Sequence, residues 1–461
     1  MSATSKLALP GRRTLGLERL PGYRAAVAGF LLLALLLFGG ASSPDEYSQV
    51  LVRLAAVGCI AASLWPLEVA VLRPDRWLIA FALACLALPA LQLVPLPPAS
   101  WATLPGHRLY SEVAAAAGSS ISRPLSLTPD LTINALQALL PPAAMLLAAL
   151  YLDAPERKTV AALLAAAGIV SAVLALAQLA SSGDVLRLYR HTTEGAPVGL
   201  FANRNHEAAL LACALPFGAA TIVRRPKRVG APLMFGALAA CALLASIVIV
   251  LTGSRMGLAL WAIAIAGALW ILHGRSLLRL PEERGQRRAA ILAILFLFIA
   301  AAALIGQSEA VHRLRGADFA ADTRSAALPS LMATARAFFP AGAGFGSFAN
   351  VYPAFEPDAL LSTIYLNQAH NEPLQLAIEG GLPALLLLAI FLVWWTRTAL
   401  LIVTHRANAP NRGLARAGVI VTALLMCASL VDYPLRTPLL ASLFVFACVA
   451  MARSARLRPG T

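Results

Sequence analysis

The sequence predicts an all-α polytopic membrane helix bundle, on three observations. Hydrophobic residues fill 59% of the 461 positions and charged residues only 13%, against roughly 25% charged in an ordinary soluble domain. The apolar residues are gathered into long runs, near the length of about 20 residues that carries a helix through a hydrocarbon layer about 30 Å thick. The Lys and Arg stand mainly in the short links between those runs, as the positive-inside bias requires. The net charge of +15 then reflects topology and contact with membrane lipid, and it argues against a nucleic-acid partner.

Twelve spans are expected, near residues 25–41, 49–66, 77–95, 132–152, 159–180, 205–223, 229–251, 255–272, 289–306, 373–395, 414–431 and 437–452. Twelve crossings put both termini on one side. With the N-terminus inside, 25 of the 37 Lys and Arg fall in inner segments, 11 in outer segments, and Arg53 within a span. Both termini are therefore expected in the cytoplasm. Reading the first span as a secretory signal, on its basic flank and the small residues after it, would leave eleven spans and break this parity.

The chain thus divides into a cytoplasmic tail (1–24), nine spans (25–306), a large outer loop (307–372), three spans (373–452) and a second tail (453–461). Another long outer segment runs from about 96 to 131. Long ordered loops are usually functional, and Ser325 to Phe338 in the larger one reads as helix. The six cysteines, at 59, 85, 213, 241, 427 and 448, all lie in apolar runs without metal-site spacing. They read as small core residues.

Chemistry-bearing residues gather at the outer ends of the spans. His370 and Asn371 stand just before Pro373, a residue suited to the first turn of a helix. Imidazole titrates near neutral pH, so an outer His either takes a proton from a sugar hydroxyl or caps a helix end. Glu372 and Glu379 are its acidic neighbours. Glu379 lies inside the span, where a carboxylate needs a partner.

Arg255 sits in the hairpin Thr252-Gly-Ser-Arg255. It either presents its fork to a phosphate or snorkels to headgroups. Asn203-Arg-Asn-His-Glu207 opens the sixth span. There Asn203 or Asn205 caps the helix, or Arg204 binds phosphate and His206 bonds to sugar. Asp322-Thr-Arg324 precedes Gly342-Ala-Gly-Phe-Gly346, whose glycines allow close backbone approach to a ligand. It lacks the Lys-Ser/Thr pair of a nucleotide loop. In the last outer turn, Asp432 and Arg436 either pair with each other or Asp432 orients an Arg or His.

Trp101, Phe348, Tyr352, Phe355 and Tyr365 offer aromatic faces for sugars. Together these residues suit a pyrophosphate-linked glycan anchored in lipid, with arginines on the diphosphate and a His on the attacking hydroxyl. The outer loops hold no Asp-rich cluster, so neither a metal nor another cofactor is expected.

These segments, in this order and on this side, resemble the O-antigen ligase/polymerase superfamily. The resemblance runs over about 199 to 438, through Ala369-His-Asn-Glu-Pro-Leu-Gln-Leu-Ala-Ile-Glu379-Gly-Gly381 and Leu430-Val-Asp-Tyr-Pro-Leu-Arg436. It implies a twelve-helix bundle of the GT-C glycosyltransferase type with a large periplasmic loop, in the bacterial inner membrane. It implies inverting, metal-independent transfer of a polysaccharide from undecaprenyl pyrophosphate to a lipid A–core or similar lipid-anchored acceptor. His370 matches the family's essential periplasmic His, as base or acceptor-positioning group, and Arg255 and Arg324 match the arginines on the donor diphosphate. Arg204 and Asp432 fall in the flanking motifs. Pro373 and Gly381-Leu-Pro383 depart from the pattern at positions where many relatives vary. A polymerase with the same lipid-linked donor is the alternative within the family. A twelve-helix transporter is the alternative outside it, although transporters carry their ionisable residues nearer the midplane.

Overall fold

The computed structural model describes residues 22–43, 46–65, 69–119, 121–181, 186–222, 231–273, 319–361, 366–404 and 412–455. The expected ninth span (289–306), part of the large loop and most of both tails lie outside the described residues.

The chain is an all-α polytopic membrane protein. Its helices are α1 (Tyr23–Phe38), α2 (Tyr47–Leu64), α3 (Val69–Leu72), α4 (Arg76–Leu91), α5 (Pro98–Ala102), α6 (Arg108–Ala116), α7 (Pro129–Ala138), α8 (Leu140–Tyr151), α9 (Ala154–Ala180), α10 (Arg204–Ile222), α11 (Ala231–Thr252) and α12 (Arg255–His273). They continue with α13 (Phe319–Phe338), α14 (Phe348–Val351), α15 (Glu372–Thr404), α16 (Arg412–Ser429) and α17 (Pro438–Ala455). Among the described residues, eight helices are long and apolar enough to cross a membrane, and α1 and α17 are shorter apolar helices. Eleven of the twelve expected spans thus coincide with a helix.

α10 is shielded by α9, α11, α12 and α16. Most of its residues from His206 to Ala220 are buried. Protein rather than lipid surrounds it, which is why it tolerates Glu207 in its first turn. Small residues set the close approaches. A Cβ added at Gly257 on α12 would lie 2.5 Å from the Ala208 Cβ on α10, so the first turns of these two helices stand side by side.

One end of the bundle collects the C-terminus of α1 and the N-termini of α10, α12, α15 and α17. The Leu439 amide donates to the Gly39 carbonyl at 3.0 Å, and the Ala202 amide to the Gly40 carbonyl at 3.2 Å. This is the site end. The opposite, far end holds Tyr151, Arg157, Trp270, Arg416 and Arg453.

The membrane core and the site-end loops have separate hydrophobic cores. The second is small, built on Ala327, Leu331, Phe338, Phe348, Tyr352 and Ile378. It corrects one expectation. Phe348 and Tyr352 stack on each other with ring centroids 5.3 Å apart and both are buried. Trp101 is buried and donates its Nε1–H to the Pro124 carbonyl at 2.8 Å. These rings fill a core and offer no face to a sugar. Tyr365 lies outside the described residues. A two-stranded ribbon, β1 (Pro95–Leu96) against β2 (Arg123–Pro124), closes the segment that carries α5 and α6.

The glycine loop is also structural. Backbone amides of Ala343 and Gly344 donate to the Ile378 and Glu379 carbonyls, both at 2.9 Å. Gln92 receives the Phe345 amide at 2.9 Å and donates to the Glu379 carbonyl at 3.0 Å. The close backbone approach that the glycines allow is made to α15, where the sequence reading had a ligand. At that contact α15 leaves helical geometry: Gly381 has φ 59° and ψ −150°, a region open to glycine. The Leu382 amide donates to the Pro340 carbonyl at 2.9 Å in compensation.

Candidate active site

Three sequence-distant segments meet at the site end: the start of α10, the loop into α15, and the turn between α16 and α17. Asn371 caps α15, its Oδ1 receiving the Leu374 amide at 2.9 Å. Its Nδ2 donates to the Leu430 carbonyl at 3.0 Å, which ties the cap to the next turn. The residue before it, His370, is held at φ 49°, a left-handed conformation uncommon outside glycine. Surrounding contacts hold such a conformation in place.

His370 Nδ1 lies 3.2 Å from Asp432 Oδ1. A carboxylate only accepts, so Nδ1 carries the proton and Nε2 is left for other work. The Asp432 side chain is fully buried and fixed on both oxygens. Oδ1 also receives the Tyr433 amide at 2.9 Å, and Oδ2 receives Asn205 Nδ2 at 2.6 Å. The Tyr433 ring stands between two imidazoles, 4.9 Å from His370 and 5.2 Å from His206. His206 is buried at 1% exposure, so its ring braces Tyr433 from inside the bundle. His370 keeps 12% of its side chain exposed.

A second polar group lies beside the first. Glu379 is buried, and its Oε2 pairs with Arg436 at 3.0 Å. Its Oε1 receives Gln375 Nε2 at 3.0 Å and the Phe348 amide at 3.3 Å. The partner that an intramembrane carboxylate requires is thus Arg436. Glu372 Oε1 receives the Leu435 amide at 3.0 Å. Asp432 and Arg436, four residues apart, therefore serve different partners.

Arg204 and Arg255 are the first residues of α10 and α12, whose first turns touch. Arg255 is exposed and Arg204 half-buried. In the hairpin before α12, Ser254 Oγ receives the Gly257 amide at 3.0 Å, so the serine caps the helix that Arg255 opens. Arg324 falls in the first two turns of α13, and its side chain lies outside the described residues.

Several supports escaped the sequence reading. Gln178, near the end of α9, receives the Val198 and Gly199 amides at 3.1 and 2.9 Å and donates to the Gly199 carbonyl at 3.0 Å. Ser171 receives the Leu200 amide at 3.0 Å and donates to Glu207 Oε2 at 2.5 Å. Together they shape the loop that delivers Asn203 to Asn205. A lone amide or hydroxyl in an apolar run is a signal of such a role. The Tyr189 hydroxyl receives the Gly40 amide at 2.7 Å, and burial pushes its pKa up to about 12, so it stays neutral there.

Chemically, the site end offers an oriented imidazole backed by a buried carboxylate, with two helix-initial arginines on adjoining helices. Helix N-termini carry partial positive charge and favour anions. No curated protein matches the chain. Residues 239–389 match the protein-family model described as O-antigen ligase. That stretch takes in Arg255, Arg324 and His370 and stops short of Arg204, His206, Asp432 and Arg436.

Proposed function

We infer that this chain, a member of the O-antigen ligase-like superfamily by its residues 239–389, transfers a polysaccharide from undecaprenyl pyrophosphate to a lipid A–core or similar lipid-anchored acceptor at the periplasmic face of the bacterial inner membrane. The observation that carries this reading is the His370–Asp432–Asn205 chain of hydrogen bonds at the end of the bundle where α10 and α12 begin.

In this reading His370 Nε2 takes the proton from the acceptor hydroxyl. The freed oxygen attacks the anomeric carbon of the donor sugar from the face opposite the diphosphate. The bond from that carbon to the diphosphate oxygen breaks with inversion, and the lipid pyrophosphate leaves. Asp432 stabilises the imidazolium that forms, as a buried carboxylate behind a catalytic His does. Arg255 and Arg324, with Arg204 on the helix that adjoins that of Arg255, hold the diphosphate and stabilise the charge that grows on it. No step is assigned to a metal or another cofactor.

The test is transfer by the purified protein supplied with lipid-linked donor and core acceptor. His370→Ala should lower turnover by about 10²- to 10⁴-fold, the usual contribution of a general base. Arg255→Ala should cost about 10²- to 10³-fold, as loss of one charge-stabilising donor does. Full activity in both variants would remove the proposed site. The acceptor separates the two enzymes of the superfamily: a ligase elongates the core oligosaccharide, whereas a polymerase elongates a second lipid-linked glycan.

A further inference from the structure

We propose that Arg53 on α2, held by Gln137 on α7, binds the phosphate of an anionic membrane lipid. Arg53 is the seventh residue of α2, about 9 Å along the helix from its first residue at 1.5 Å per residue. Gln137 is the ninth residue of α7, about 12 Å along on the same measure. Both helices belong to candidate membrane spans. Arg53 Nη1 donates to Gln137 Oε1 at 3.1 Å. Its Nε is buried and has no hydrogen-bond partner among the described residues.

The location is what makes this pair unusual. Ionisable residues inside spans generally face the bundle interior or a watery cavity and pair with an opposite charge. This pair lies on the flank. Gln137 is exposed, and so are the neighbouring Val50, Leu54 and Val57 on α2 and Ile133 on α7. Gln137 is neutral, so it orients the guanidinium without supplying the missing negative charge. A planar fork held by Gln137 among exposed apolar residues matches the geometry and charge of a phosphate group. The apolar residues around it match acyl chains. A lipid with an anionic headgroup satisfies both at once. Free snorkelling to bulk headgroups would need no fixed partner such as Gln137 and would favour no particular lipid.

The readout is lipid binding, which can be measured without the transfer reaction. Full-length protein in detergent is loaded with phosphatidylglycerol or with phosphatidylcholine, and bound lipid per chain is read by native mass spectrometry. The wild type should retain phosphatidylglycerol in preference to phosphatidylcholine, saturably. Arg53→Gln should lower that retention on the order of tenfold, the loss expected for one charge-assisted contact. Arg53→Lys keeps the charge without the fork and should retain several-fold less than wild type, which keeps the question open to measurement if the Gln variant misfolds. Equal retention of both lipids by the wild type, or unchanged retention in both variants, would overturn the site. Displacement of phosphatidylglycerol by inorganic phosphate alone would overturn its assignment to a membrane lipid.

Discussion

The two ends of the bundle use buried charge in opposite ways. At the far end each cation reaches at least one backbone carbonyl. Arg453 pairs with Asp75 at 2.8 Å and also donates to the Val71 and Leu150 carbonyls at 3.2 and 2.8 Å. Arg157 donates to the Leu152 carbonyl. Arg416 donates to the Trp270 carbonyl at 3.0 Å and lies over the same indole, 4.5 Å from its centroid. Each of these fastens one helix end or connecting turn. At the site end side chains from different segments also pair with one another, and the pairs include an imidazole that retains some exposure. The far end spends its polar contacts on fixing helices; the site end spends them on orienting one group.

This contrast can be broken by mutation. The largest separation is expected from Asp432→Asn, which keeps the shape but removes the charge behind His370. Turnover in the transfer assay should fall by at least about 10²-fold, within the range ascribed to general-base catalysis, while thermal unfolding changes little by comparison. Arg453→Ala makes the opposite test. It strands the buried Asp75 and should cost about 3–5 kcal/mol in stability, read by thermal unfolding in detergent, with turnover per folded molecule unchanged. A comparable loss of turnover in this variant would erase the distinction between the ends. Arg436→Ala sharpens it, because it strands Glu379 beside the site. It should lose stability on the same scale of about 3–5 kcal/mol and lose activity as well. The smallest effect is expected from Asn205→Ala, which frees one oxygen of Asp432. One lost hydrogen bond to a charged group corresponds to about tenfold in rate, and it should appear in kcat rather than KM if Asn205 acts through Asp432.

Much of the fold was legible because the signal is local. An apolar run of about 20 residues reads as a span wherever it occurs, and eleven of the twelve expected runs coincide with helices. α4 ends at Leu91 where the sequence reading ran to 95, because Pro95 and Leu96 pair as strand with Arg123 and Pro124. α15 runs on to Thr404, past the expected 395. The site was legible as a set of segments but not as pairings. Asn205 and Asp432 are 227 residues apart in the chain, and no periodicity marks that contact. Chain proximity offers Arg436 as a partner for Asp432, with an Arg or His oriented by Asp432 as the alternative, and the structure has His370 there. The aromatic residues misled for a related reason. A Phe or Tyr in a polar loop looks available to ligands, yet a long loop that folds must build a core of its own, and Phe348 and Tyr352 supply it.

The break at Gly381 divides α15 into two rods. The short upper rod carries Glu372, Gln375 and Glu379 and is sewn to the loop around Ala343 and Gly344. The long lower rod, from Leu382 to Thr404, faces the bilayer on one side. The break between them is fixed by the Leu382 amide on the Pro340 carbonyl. The carboxylates of the upper rod therefore take their positions from that loop and from Arg436, whatever the direction of the lower rod.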